Sequence, residues 1–195
     1  MRTVETQRLA IRNFPEDDWE DLREMILQYE ASEYAVYGHQ WPTSEEELRG
    51  VAEWFSSGAS FLAVCLKLTG RFIGFVALNP EEGHDEVVFN LGYVFNPDYH
   101  GKGYATEACR AIIDHAFAGL GAQGIITGTA EANRPSCRLL ERLGLKRVGD
   151  ESAESFRKSP DGKPIEFTGF MWALSKDEWE STRQEAGESE AAPGA

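Results

Sequence analysis

The chain has 195 residues, 42% of them hydrophobic, and a net charge of −14 from 33 acids against 19 lysines and arginines. That length favours one domain with a substantial core, and no run approaches the ~18 apolar residues of a membrane span. The acidic balance argues against a nucleic-acid partner.

Thr6 to Phe14 alternates, with Leu9, Ile11 and Asn13 against Arg8, Ala10 and Arg12, and predicts a first strand. Pro15 and the acids at 16–18 open a helix carrying Trp19, Leu22, Met25 and Ile26. Residues 29–43 are aromatic and irregular. Ser44 with Glu47 three residues later forms a capping box before a second helix with Leu48, Val51, Ala52 and Phe55. Ser60–Leu68 and Arg71–Leu78 read as two strands joined at Thr69-Gly70, and Val87–Phe95 as a third. A helix from Tyr104 to Leu120 follows, then a strand at Gly124–Ala130. Pro135–Leu143 is a short helix with Asn133 as its candidate cap. Lys146–Gly149 and Glu166–Leu174 are the last strands. The predicted organisation is a single domain over 1–182 and a disordered acidic tail over 183–195. A helix links the strands at 87–95 and 124–130, which makes them parallel neighbours in a mixed α/β sheet.

Cys65, Cys109 and Cys137 are odd in number and lack CxxC spacing, so no disulfide frame is expected. The four histidines have no paired spacing and no metal is predicted. The opening residues lack a signal-peptide core, which gives a cytoplasmic expectation. Charge is uneven. Residues 16–53 hold twelve acids against Arg23 and Arg49, whereas residues 100–147 hold seven bases against four acids. A positive field there suits an anionic ligand, while the acidic N-terminal third reads as a solvated helix face or an attraction for a cationic amine.

The segment from Gly92 to Glu107 carries the most information: a strand, a loop with Gly101 and Gly103, and a helix start. Loop amides and orphan helix N–H groups then converge on a point suited to phosphate or pyrophosphate. A P-loop would need glycine where Asn96 stands and Ser or Thr where Gly103 stands. A dinucleotide fingerprint would need glycine where Thr106 stands. His100-Gly101-Lys102-Gly103-Tyr104-Ala105 instead fits the pattern (Gln/Arg)-x-x-Gly-x-(Gly/Ala) at its fourth and sixth positions, with His in the first. That pattern resembles the acetyl-CoA loop of the GNAT superfamily of N-acetyltransferases.

Three further segments extend the likeness to the ribosomal-protein-alanine acetyltransferase-like subgroup. They are Thr6–Arg12, the pair Asn133-Arg134-Pro135-Ser136 and Leu139–Leu145, and the final strand with Trp179. The resemblance implies a GNAT acyl-CoA N-acyltransferase fold, with a central mixed sheet splayed between its fourth and fifth strands and flanked by helices. It implies acetyl-CoA as cosubstrate and transfer of its acetyl group to a primary amine, on a small molecule or a peptide N-terminus. The pantetheine arm would pair with backbone at Tyr93, Val94 and Phe95, and the pyrophosphate would lie on Gly101, Lys102, Gly103, Tyr104, Ala105 and Thr106 beside His100. Asn133 would touch the pantetheine or hold a water, Ser136 would lie near the thioester sulfur, and Arg138 is a phosphate neighbour by charge. Both Asn133 and Ser136 also read as helix-start residues.

By analogy the acceptor pocket would be lidded by the aromatic stretch, with Glu30, Tyr34, Tyr37 and Trp41 as candidate contacts; the other reading is core packing. Many relatives carry Tyr as general acid where Leu140 stands, and often Glu where Asn90 stands. A base must then come from elsewhere, with Glu131 the first candidate and Glu30, His39 and His84 behind it, or the amine arrives neutral. The alternative function is a CoA-binding module without catalysis. The expected assembly is a monomer or a homodimer, with neither nucleic acid nor membrane as partner.

Overall fold

In the computed structural model, residues 3–159 and 161–191 are described. Eight strands form one sheet in the order β1-β2-β3-β4-β5-β6-β8-β7. They are β1 (Val4–Glu5), β2 (Leu9–Asn13), β3 (Phe61–Leu66), β4 (Phe72–Glu81), β5 (Val88–Phe95), β6 (Gly124–Ala130), β7 (Lys146–Lys158) and β8 (Pro164–Ser175). The helices are α1 (Trp19–Glu30), α2 (Glu45–Ser56), α3 (Tyr104–Gly119), α4 (Arg134–Arg142) and α5 (Lys176–Ala191). All neighbouring strands are antiparallel except β5 and β6, the pair joined through α3. Among the described residues no helix is long and apolar enough to cross a membrane.

Alternation of side chains divides the core between the two faces. Leu62 and Val64 of β3 join Leu9, Ile11, Leu91 and the α3 stripe Ala108, Cys109, Ile112 and Ala116. Ala63 and Cys65 point the other way, to Leu22, Met25 and Ile26 of α1 and Leu48, Ala52 and Phe55 of α2. The capping box is present: the Glu47 N–H donates to Ser44 Oγ at 3.4 Å.

The site depends on one defect in the sheet. β5 pairs with β6 only at Val88, Phe89 and Asn90, opposite Gly124, Ile125 and Ile126. Beyond that, β6 continues against β8 from Thr127 to Ala130 and leaves β5 behind. At the apex the buried Thr127 hydroxyl donates to the Leu91 carbonyl at 2.7 Å, where a strand hydrogen bond would otherwise run. The splay therefore falls between the strands at 87–95 and 124–130, as expected.

Two elements run well beyond the sequence expectation. β7 reaches Lys158 and pairs with β8 well beyond Gly149, with Asp150 opposite Phe170 and Glu154 opposite Glu166. The polar run 150–158 has low strand propensity, and the partner strand supplies what propensity does not. The tail expected to be disordered from 183 is helical to Ala191, while 192–195 lie outside the described residues. Ser175 and Glu178 cap α5, through Glu178 N–H to Ser175 Oγ at 3.3 Å and Ser175 N–H to Glu178 Oε2 at 3.0 Å. Trp179 Nε1 and Arg183 both bind Asp114 of α3, at 2.7 and 2.9 Å, which anchors this helix to the body.

Candidate active site

β5 ends at Phe95, and the buried Asn96 makes the turn. Its N–H donates to Ile73 O at 2.9 Å and its side chain accepts from the Asp98 N–H at 2.9 Å. The His100 ring nitrogen Nε2 lies 3.0 Å from Phe95 O, tying the loop back to the strand. Gly101 and Gly103 take φ values of +72° and +79°, a left-handed conformation that side chains disfavour. Gly103 is the N-cap of α3, so the loop delivers the chain directly into a helix N-terminus. Such an end offers unpaired N–H groups and a partial positive charge to an anion.

A brace from the far end of the sequence holds this turn. Arg8 stacks on Tyr104 at 4.4 Å, donates to Lys102 O at 3.0 Å and pairs with Glu107 at 2.6 Å. Glu107 also accepts from Thr6 Oγ1 at 2.5 Å and from the Arg8 N–H at 2.9 Å. Burial alone would raise the Glu107 carboxyl; the hydrogen bonds from Thr6 and Arg8 outweigh it and hold the group below its ordinary range. The charge of this first-turn carboxylate is thereby balanced by the Arg8 guanidinium. Lys102 turns its ammonium to Asp98 O at 3.0 Å.

At the other end of the wedge, Tyr93 of β5 meets Ser136 of α4, hydroxyl to hydroxyl, at 2.6 Å. Asn133 caps α4 by accepting the Ser136 N–H on Oδ1 at 3.3 Å. Burial pushes the Tyr93 phenol well above its ordinary value, against the lowering effect of the Ser136 hydrogen bond.

A cleft of about 1040 Å³ connects the two ends. Of the expected cofactor residues it is lined by Tyr93, Val94, Phe95, His100, Gly101, Gly103, Tyr104, Ala105, Thr106, Asn133, Ser136 and Arg138, and not by Lys102. Arg110 and Arg142, which the sequence reading passed over, line it too, and Arg110 donates to Arg142 O at 2.6 Å. Their signal was present in the basic window at 100–147.

The expected acceptor contacts separate. Tyr34 lines the cleft beside Tyr29, and its ring lies 5.3 Å from that of His100. Trp41 instead packs edge-on to Phe55 and Phe75 at 6.0 and 5.9 Å, and neither it nor Tyr37 lines the cleft. Glu30 also lies off it. Both its oxygens accept from Arg157, each at 2.7 Å, and Oε1 takes the Trp41 N–H at 3.0 Å. The same guanidinium donates to the carbonyls of Gly38 and His39 at 3.0 and 2.9 Å, so the end of β7 clamps the aromatic connection.

The candidate base Glu131 lies 3.8 Å from Arg134 and does not line the cleft. Asn90 donates to Glu81 at 3.3 Å. Among the described residues, the acids lining the cleft are Glu107, held by Arg8, and Asp114, held by Trp179 and Arg183.

A strand splayed from its parallel neighbour, a double-glycine turn into a helix and a serine across the wedge form one site. Residues 8–146 match the family described as the acetyltransferase (GNAT) domain. The chain belongs to the GNAT acetyltransferases. An uncharacterized N-acetyltransferase of Bacillus subtilis, YnaD, is 29% identical over 177 residues, covering 90% of this chain and 98% of that one. The crystal structure of a GNAT-family acetyltransferase from Bacillus anthracis superposes with a TM-score of 0.73 at 26% identity, over 90% and 99% of the two chains. A ribosomal-protein-S5-alanine acetyltransferase from Vibrio fischeri gives the same TM-score at 17% identity, over 92% and 99%, and shares the fold. This GNAT protein is therefore an N-acetyltransferase, of a family that uses acetyl-CoA.

Proposed function

We propose that the cleft binds acetyl-CoA and that the protein passes its acetyl group directly to a primary amine, of a small molecule or a peptide N-terminus, in a ternary complex. The observation that carries this is the wedge itself. It has a strand edge that β6 has left, an anion cradle at one end and a hydroxyl donor at the other. The residues present suit the cosubstrate. β5 beyond Asn90 has lost β6 as partner, so its edge at Tyr93, Val94 and Phe95 can pair with the amides of pantetheine. The positive-φ glycines and the first turn of α3 suit the pyrophosphate, and Arg138 adds charge of the right sign. When bound, acetyl-CoA supplies an acetyl group activated as a thioester.

The chain's own groups then divide the work. A backbone N–H near Val94 or Phe95 stabilises negative charge on the carbonyl oxygen. Ser136 donates a hydrogen bond to the departing sulfur, the role that a tyrosine at Leu140 would fill. Leu140 is fully buried in the core. No carboxylate in the cleft is unengaged among the described residues, so the amine attacks in its neutral form and loses its proton to water. Tyr29 and Tyr34 wall the acceptor's approach. Holding both substrates in one wedge supplies much of the acceleration.

Acetyl-CoA and a panel of small amines and peptide N-termini, with free thiol measured, test the proposal. Thiol release that depends on the amine, and that Ser136→Ala slows, supports it. CoA binding without turnover on any amine, indifferent to Ser136→Ala, overturns it.

A further inference from the structure

We propose that Tyr93 is a positioning residue whose hydroxyl aims the Ser136 hydroxyl into the cleft. This rests on Ser136 facing the thioester sulfur, as proposed above. The two hydroxyls sit 2.6 Å apart, on opposite walls of the wedge and both on its surface. A phenol is a stronger acid than an alcohol, so the favoured direction has Tyr93 donating and Ser136 accepting. The serine proton is then left over, with the cleft as its outlet.

Without that partner a helical serine has another choice. It rotates freely and commonly turns its proton to a carbonyl three or four residues back. Asn133 fixes only the Ser136 backbone, through the N–H. Tyr93 fixes the side chain.

Burial that keeps the phenol protonated also rules on what Tyr93 does. Passing its proton through Ser136 would leave a tyrosinate in apolar surroundings beside Cys109, and the low dielectric opposes that charge. Orientation is the role that remains. The Tyr93 ring also packs on the core cluster, so Tyr93→Phe keeps its packing and removes one oxygen.

The test compares Tyr93→Phe, Ser136→Ala and the double variant. Turnover of acetyl-CoA with the best amine of the panel is one readout. The other is calorimetric affinity for CoA against CoA lacking its sulfur. Tyr93→Phe should lower kcat by about five- to tenfold, while KM for acetyl-CoA changes less than about twofold. The double variant should be no slower than Ser136→Ala alone. Wild-type protein should prefer CoA over the sulfur-free analogue, and both single variants should lose a similar, severalfold part of that preference.

Wild-type kcat and CoA preference in Tyr93→Phe, with Ser136→Ala impaired, would overturn this role alone. So would a double variant whose loss is the product of the single losses. Wild-type behaviour of Ser136→Ala would remove both this role and the reading of Ser136 beneath it.

Discussion

The glycine-loop end of the cleft and its acceptor end draw on different kinds of sequence. The first is built mainly by one stretch, Phe95 to Glu107, whose conformation is set by two positive-φ glycines, an Asn turn and a helix start, with Thr6 and Arg8 bracing it from outside. The second is gathered from α1, the aromatic connection, β5, α4 and the end of β7. It is held by one guanidinium that is 15% exposed, against a carboxylate that is 13% exposed. Local backbone geometry builds a site for a ligand of fixed shape. Long-range side-chain contacts build one whose contents differ among proteins of the same fold.

The largest expected effect comes from the point that both ends share. A Cβ on Gly74 would lie 2.5 Å from Val94 O and 2.8 Å from the Phe95 Cα, backbone atoms that cannot step aside. Gly74→Ala should cost about 3 kcal/mol or more in urea unfolding and impair both ends together. Glu30→Ala breaks the acceptor-side clamp and leaves the largely buried Arg157 without its carboxylate. It should cost about 2–3 kcal/mol while calorimetric CoA affinity stays within about twofold, which separates the two ends.

Gly103→Val tests the other end. The left-handed φ and the Arg8 guanidinium 3.4 Å from the new Cβ should cost about 1–2 kcal/mol and weaken CoA about tenfold. KM for the amine should not change.

The smallest effect is on pH dependence. Burial would raise both Glu30 and Glu107, but hydrogen bonds, from Arg157 and the Trp41 N–H for Glu30, hold each below its ordinary value. A carboxylate depressed in the folded state adds stability that is complete above its unfolded value near ~4.3 and fades as pH falls through the folded value. The urea midpoint should therefore fall below about pH 4.5, and less steeply in Glu107→Gln.

The same contrast explains what the sequence made legible. Gly101 and Gly103 set local backbone geometry and Asn133 caps α4 on the Ser136 N–H, and the spacing of these residues carries that geometry with it. The parallel pairing of β5 with β6 followed from a helical crossover. Arg8 with Glu107 and Glu30 with Arg157 are pairs 99 and 127 residues apart, and no local pattern joins them. Glu30 and Trp41 were candidate acceptor contacts by family analogy, yet one is an ion-pair anchor and the other packs, partly buried, against the core. The length of β7 was hidden because its outer half owes its conformation to β8. The capping box at Ser175 and Glu178 was legible, and low-complexity composition further along the tail masked it.

A crystal structure of the protein with CoA tests the central claim most directly. Pyrophosphate oxygens are expected on the amides between Gly101 and Thr106, with pantetheine paired along Tyr93 to Phe95 and the sulfur within reach of Ser136 Oγ. CoA bound outside the wedge, or with its sulfur turned away from Ser136, would contradict it.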